Sequence, residues 1–346
     1  MIPLLWTWMA CSSPPAFEAK PCNETAVSHS EDPFVVLWGG DTLLGDAATP
    51  SLQRHGPGWA LEHLSPLMAD ADARVINLEG PLTVATEPFE AKKYSYNAEP
   101  GTVRALADVG VTLAGLANNH SMDRGPQGLL DTQRHLRAAG IEPFGAGSTR
   151  SEALGPGRIE TPHGRVGIIG FTEKYSSAVM ATSSRPGVVA LTERRAHQQA
   201  ERARASGVDH LVAFVHWGDN YEAVQPSQRR MARWLVDAGY DLVIGHGAHI
   251  QHPVEISCGV PIVYSLGNLA FGTPGRFSAE APGFGVVLRT EVGREGVQAI
   301  EAQCIRTDNA EVRFQPRPCA GEEAQRVLSS FLDGAEVSDN RARYER

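Results

Sequence analysis

Seven residues carry side chains suited to a metal or acid–base site: Asp41, Glu79, Asn119, His120, His216, His246 and His249. Carboxylate, amide and imidazole together suit Mn, Fe or Zn rather than a calcium cage or a thiolate site. Each residue also has a plainer reading. Asp41 after Gly39-Gly40 could be a turn residue, and Glu79 before Gly80-Pro81 a loop charge. Asn118-Asn119-His120 could cap the helix that Pro126 opens. His216 could be a satisfied core histidine, and His246 and His249 part of a solvated loop. Joint placement outweighs these readings. Asp41 follows the apolar run 34–38, Glu79 follows 75–78, Asn119 follows 111–116, His216 follows 208–215, and His246 and His249 follow 242–244. Five strands thus deliver an oxygen or nitrogen donor at the carboxyl end, the edge at which open α/β sheets bind ligands. The histidines at 29, 55, 63, 135, 163, 197, 210 and 252 lack this context and read as surface or structural.

The elements that must position these residues follow from periodicity and punctuation. Apolar runs predict strands at 34–38, 74–78, 111–116, 165–171, 208–215 and 242–244. Helical spacing predicts helices over 59–68 and 103–109. Pro126 opens another helix and Gly140 closes it; Thr192 caps one that Gly207 ends; Pro226 opens one that Gly239 ends. Beyond 253 short strands dominate, at 253–257, 260–266, 284–290, 297–306 and 311–315, before a last helix at 321–332. The alternating first two thirds argue one α/β domain with helices over a sheet. The later strands are expected to build or complete a second sheet, and the tail after Ala335 to fray.

Common signatures are missing. The sequence has no G-x-S-x-G elbow, no Walker A loop and no H-E-x-x-H. The net charge of −9 argues against nucleic acid, which calls for clustered Lys and Arg. A phosphorylated substrate stays open, because a metal supplies positive charge locally. No apolar run approaches the ~20 residues that span a bilayer. At the start, Ile2 to Ala10 is apolar or small, Cys11 follows, and a polar stretch with Pro14, Pro15 and Pro21 runs to Asp32. This resembles a bacterial lipoprotein signal with Cys11 as the lipid site, although it is short and has no Lys or Arg ahead of its apolar part. The alternatives are an unmodified polar start and a translation start placed too late; mass spectrometry of the mature N-terminus decides among them. Of the other cysteines, Cys304 and Cys319 are the favoured disulfide for their short separation in the late strand region. Cys258 with Cys304 competes, and connectivity stays open at this level.

The strings Gly39-Gly40-Asp41, Asn77-Leu78-Glu79-Gly80-Pro81-Leu82-Thr83 and Ala117-Asn118-Asn119-His120-Ser121-Met122-Asp123-Arg124-Gly125 resemble the CapA family of capsule-synthesis proteins. So do Val215-His216-Trp217-Gly218, the stretch Gly239 to His249, and Tyr264-Ser265-Leu266-Gly267-Asn268. This is the poly-γ-glutamate biosynthesis family, related to the calcineurin-like metallophosphatases, and the resemblance runs from about residue 34 to 290. It implies a four-layer α/β/β/α sandwich over residues 33–335, after a signal-like tether at 1–32 and before a tail at 336–346. It also implies a centre of one or two divalent transition metal ions. Asp41, Glu79, Asn119, His216, His246 and His249 match the ligand positions, and His120 matches the leaving-group acid. Several departures stand out. Leu43 occupies the position where metallophosphatases carry a second ligand, a histidine. Glu79 replaces a bridging Asp, as is usual in CapA. Two residues rather than one separate His246 from His249. Asn220 stands where many CapA members have Glu.

Two functions follow. The first is a metal-dependent hydrolase with a metal-activated water, His120 as general acid and Asp123 orienting it. Its substrate would be a γ-glutamyl amide or a phosphoester. The second is a non-catalytic factor that holds an anionic polymer, or the subunits of a capsule-synthesis complex, at an extracytoplasmic membrane face. An anionic polymer meeting a −9 chain then needs the metal or a local arginine cluster.

Overall fold

A computed structural model describes residues 29–346; the expected lipid site at Cys11 and most of the tether lie outside them. Strand β1 (Phe34–Leu43) lies parallel to β2 (Ala73–Leu78), which pairs in turn with β3 (Leu113–Gly115) and β4 (Glu142–Phe144). A second sheet begins with the hairpin β5 (Gly157–Thr161) and β6 (Gly164–Thr172). It continues through parallel β7 (His210–His216) and β8 (Leu242–His246) to β10 (Val260–Leu266), with antiparallel β9 (Gln251–Ser257) at its edge.

The two sheets face each other across one apolar layer. Val36 and Trp38 from β1 and Val75 from β2 meet Ile168, Phe214 and Ile244 from the second sheet. Trp38 and Phe214 stand 6.2 Å apart between ring centroids, and Trp38 satisfies its indole N–H on Thr290, as a buried Trp must. On the outer face of the first sheet, Leu37 and Ile76 pack under α1 (Thr49–His55), α2 (Val103–Asp108) and α3 (Gly125–Ala138). On the outer face of the second, Ala213, Val215 and Val243 pack under α4 (Glu193–Ala205) and α5 (Pro226–Asp237). The order is therefore α/β/β/α, the four-layer sandwich.

The late strands depart from expectation. Only β9 and β10 complete the second sheet. Gly267, at φ +70, lets the chain cross over, so that β11 (Asn268–Phe271) pairs with the end of β1. The long hairpin β12 (Phe284–Gly293) and β13 (Gly296–Arg306) then extends the first sheet, with β12 antiparallel to β1. The strand expected at 311–315 is instead a short helix, Asn309–Val312. The Asp308 side chain caps it, and left-handed Arg313 and Phe314 end it. The tail expected to fray forms β14 (Arg341–Glu345) against β13 and buries Ala342, because Ala342 and Tyr344 alternate with charged Arg341, Arg343 and Glu345, a pattern that suits an open sheet edge. The helix expected over 59–68 splits into a 3-10 segment, Pro57–Leu64, and a short α-turn, Ser65–Met68. Prolines at the start of each piece interrupt the hydrogen-bond ladder. The last helix, α6 (Gly321–Phe331), covers the end of the interlayer core. Cys304 and Cys319 are disulfide-bonded with Cα atoms 5.3 Å apart, which excludes pairing of Cys304 with Cys258.

Candidate metal centre

At one end of the sandwich the carboxyl ends of β1, β2 and β3 meet those of β7 and β8. Asp41 enters from β1 through two glycines. A Cβ at Gly40 would lie 1.9 Å from the Gly267 carbonyl, so only glycine lets β1 approach the chain where it crosses between sheets. The Asp41 amide then donates to that same carbonyl at 3.0 Å. Its carboxylate accepts from the Asn77 amide at 2.8 Å and from the Gly247 N–H at 3.0 Å. Gly247, at φ +102, lies against the His216 imidazole, and a side chain there would strike the ring.

Around Asp41 the imidazoles close in. Asp41 Oδ1 is 3.4 Å from His246 Nδ1 and 3.9 Å from His216 Nδ1; Oδ2 is 3.3 Å from His249 Nδ1. The two Nδ1 atoms of His216 and His246 face each other at 3.0 Å. Glu79 Oε1 stands 3.8 Å from His216 Nε2, 4.0 Å from His249 Nε2 and 3.8 Å from His120 Nε2. Donors at about 2.0–2.2 Å from a shared ion sit roughly 3–3.5 Å from one another, close to these separations. Two sets of donors, Asp41–His216–His246 and Asp41–Glu79–His249, share Asp41, and within each set the ligand atoms lie within 4.8 Å.

The donor set fits a divalent transition metal on a second ground. Among the described residues, Glu79 Oε2, His246 Nε2 and Asn119 Oδ1 are buried without a hydrogen-bond partner. Orphaned buried polar atoms are costly, and an ion held by the Glu79 carboxylate would satisfy its orphaned oxygen. The Asn119 backbone carbonyl is held by Lys92 Nζ at 2.6 Å. Asn118 shapes that loop: its side-chain oxygen accepts from the His120 and Ser121 amides. Leu43 lies in the apolar cluster over the first sheet and donates nothing.

Burial splits the two carboxyls. Burial works to raise Asp41, but His246 and His249 outweigh it and hold the acid well below its usual range. Burial, with the charge of Asp41 behind it, drives Glu79 well above the usual range, opposed by Lys174. Burial also lowers His216 strongly and His246, His120 and His252 to a lesser degree. Neutral imidazoles are ready ligands.

A pH dependence follows for the metal-free protein. These four histidines have folded pKa values below the ordinary 6.5. As pH falls below 6.5 the unfolded chain therefore takes up protons that the folded chain refuses, and stability is lost down through the folded values. Glu79 works oppositely, gaining a proton more readily when folded, but it is one group against four. Calorimetry should give a lower melting temperature at pH 5.5 than at pH 7.5. A flat or rising trend would mean that the histidines are not held neutral.

His120 sits beside the centre with a support of its own. Its Nδ1 meets Asp123 Oδ2 at 2.6 Å, and the Tyr96 ring packs over it at 4.1 Å. Asp123 also accepts from Lys92 Nζ at 2.7 Å and from the Tyr96 amide at 2.7 Å. Burial pushes Asp123 up, but His120 and Lys92 together bring it below its usual range.

Several residues of the centre carry no signal in the sequence. Asn77 orients Asp41, and Asn268 Oδ1 meets His249 Nδ1 at 3.0 Å. Lys174 follows β6, a strand end at which the sequence suggests no site residue. Its amine donates to Asn220 and to the Gly247 carbonyl; burial lowers its pKa against the pull of Glu79 and Asp41. His249 and Tyr221 both adopt φ +63, a strained setting for bulky residues that clusters at functional sites.

The chain is similar to the capsule biosynthesis protein CapA of Bacillus anthracis, 28% identical over 253 residues, covering 71% of this chain and 62% of that protein. It is 28% identical over 247 residues to the PGA biosynthesis protein CapA of Bacillus subtilis, covering 70% and 65%. The chain thus spans less than two thirds of these curated relatives. Among solved structures, the sulfate thiohydrolase SoxB of Thermus thermophilus matches at 13% identity and a TM-score of 0.49, covering 88% of this chain and 61% of that one. The NAD nucleotidase of Haemophilus influenzae matches at 14% and 0.44, covering 88% and 58%. The family model for bacterial capsule synthesis proteins, PGA_cap, matches residues 35–273 of the 346, a stretch that contains every residue of the centre, and the chain belongs to that family.

Proposed function

We propose that this protein is a metal-dependent hydrolase of capsule or γ-glutamyl polymer metabolism, acting at the bacterial cell surface. The observation that carries this reading is the convergence of Asp41, Glu79, His216, His246 and His249, with the ligand atoms of each set within 4.8 Å and Glu79 Oε2 buried without a partner. The polymer comes from the names of the relatives, and the surface location from the sequence around Cys11.

Asp41, Glu79, Asn119, His216, His246 and His249 would hold one or two ions of Mn, Fe or Zn. Such an ion, when bound, lowers the pKa of water and polarises the scissile group. The chain supplies the rest. Asn77 and Gly247 fix the Asp41 carboxylate; Asn268 fixes the His249 ring. Asp123, ionised, orients His120 through Nδ1 and stabilises its protonated form. His120 Nε2 then faces the centre and gives its proton to the leaving atom as the bond to it breaks. For a γ-glutamyl amide that atom is nitrogen, and the carbonyl carbon gains the oxygen of water.

The test is elemental analysis of protein purified without added metal, together with chromatography of a γ-glutamyl polymer after incubation. Stoichiometric Mn, Fe or Zn with shortened polymer is expected. Polymer bound but uncut by metal-replete protein would instead support a holding role within a synthesis complex. Cleavage by protein free of metal would remove the metal-dependent reading.

A further inference from the structure

We infer that the cavity beside His249 is a subsite for an anionic group of the substrate, with Arg276 as the residue that grips it. This rests on the reading of the neighbouring centre as a hydrolytic site for a carboxylate-rich polymer. The cavity, of about 240 Å³, is walled by Tyr94, Tyr96, Tyr221, His249 and Arg276. It therefore shares His249 with the metal centre and Tyr96 with the wall of His120.

The cations near the centre differ in what they already hold. Lys92 is engaged by Asp123 at 2.7 Å and by the Asn119 carbonyl. Lys174 is spent on Asn220 and Gly247. The Arg276 side chain makes no ion pair or hydrogen bond among the described residues. Its guanidinium lies over the Tyr221 ring at 5.0 Å and the Tyr94 ring at 5.9 Å. Stacking on aromatic faces orients an arginine without consuming its N–H donors, so the fork remains available for a carboxylate or phosphate.

The mount is preorganised. Phe277, next in the chain, packs edge-on to Tyr221 at 5.3 Å and against the cluster of Ala248, Ile250 and Ala281. Tyr221 donates its backbone N–H to the Ala248 carbonyl at 2.8 Å. Asn309 ties down the start of the loop by donating to the Phe271 carbonyl at 2.7 Å and to that of Thr273. A chain of net charge −9 repels an anionic substrate at long range. An unpaired guanidinium at the mouth of the centre answers that repulsion where the substrate must enter. The anion we assign is a side carboxylate next to the bond to be cut; phosphate shares its chemistry.

The test is calorimetric titration of metal-replete protein with a γ-glutamyl oligomer and, separately, a phosphomonoester, using wild type, Arg276→Ala and Arg276→Lys. Arg276 is exposed, so both variants should fold, and both should keep the wild-type metal content. Oligomer affinity is expected to fall about 10- to 100-fold in Arg276→Ala and to recover in part in Arg276→Lys. If only the phosphomonoester binds, and binds more weakly in Arg276→Ala, the subsite stands and the polymer reading fails. If the oligomer binds through Arg276 but is never cut, the subsite stands and the hydrolase reading fails. Unchanged affinity in Arg276→Ala, or no binding of either ligand to wild type, overturns the inference.

Discussion

His216→Ala should empty the metal centre and abolish hydrolysis together. The ring of His216 is 1% exposed and lies between the two donor sets, with Nδ1 toward His246 and Nε2 toward Glu79. Its removal leaves two buried carboxyls with fewer imidazoles to share an ion, and takes one donor from beside Glu79, whose pKa burial already raises. Even partners that only orient metal ligands cost about 10–100-fold in affinity when lost; a ligand should cost at least that. The same change also removes the part of folding stability that comes from metal, which acts by mass action on the folded state alone. Elemental analysis should therefore find wild type loaded and the variant nearly metal-free after the same purification, with polymer cleavage lost in proportion. Added metal should raise the melting temperature of wild type and leave that of the variant almost unmoved. His216→Gln, which keeps most of the volume, separates ligand loss from cavity formation. Full metal content in both variants would mean that His216 is a core histidine and not a ligand.

Much of this centre was legible in the sequence because each donor follows an apolar run of strand length, and strand ends of one α/β layer share an edge. Asp41, Glu79, His216 and His246 were placed by that rule alone. Lys174 obeys the same rule after β6, but a lysine ammonium is no metal ligand and its type gives no signal of a site. Asn77 and Asn268 could not be found that way. Asn77 is the penultimate residue of β2, and Asn268 reaches His249 only because the chain crosses between sheets at Gly267. That crossing is also why the late hairpin joins the first sheet. Partner choice among strands is non-local, and nothing in the periodicity of 284–306 distinguishes one sheet edge from the other. Arg276 follows no strand, and its role shows only where the rings of Tyr94 and Tyr221 come together around it. The resemblance supplied what periodicity could not: that two sheets would face each other.

His120→Ala should keep the metal but slow turnover by roughly 10²–10⁴-fold, the range typical of a lost general acid. The geometry separates it from the ligands. Its Nδ1 is committed to Asp123 at 2.6 Å, leaving Nε2 to face the centre across 3.8 Å from Glu79, and the donor sets close without it. Burial lowers its pKa while Asp123 pulls the other way. As an acid it must be protonated, so the wild-type rate should decline as pH rises through its pKa, and this limb should vanish in His120→Ala. Asp123→Asn should fall between wild type and His120→Ala, since it keeps a hydrogen bond to Nδ1 but loses the charge that supports the imidazolium. A substrate whose leaving group needs no proton should be cut by His120→Ala nearly as fast as by wild type. Loss of metal from His120→Ala would make it a ligand instead. An unchanged rate with metal retained would remove His120 from the chemistry, leaving any proton donation to water.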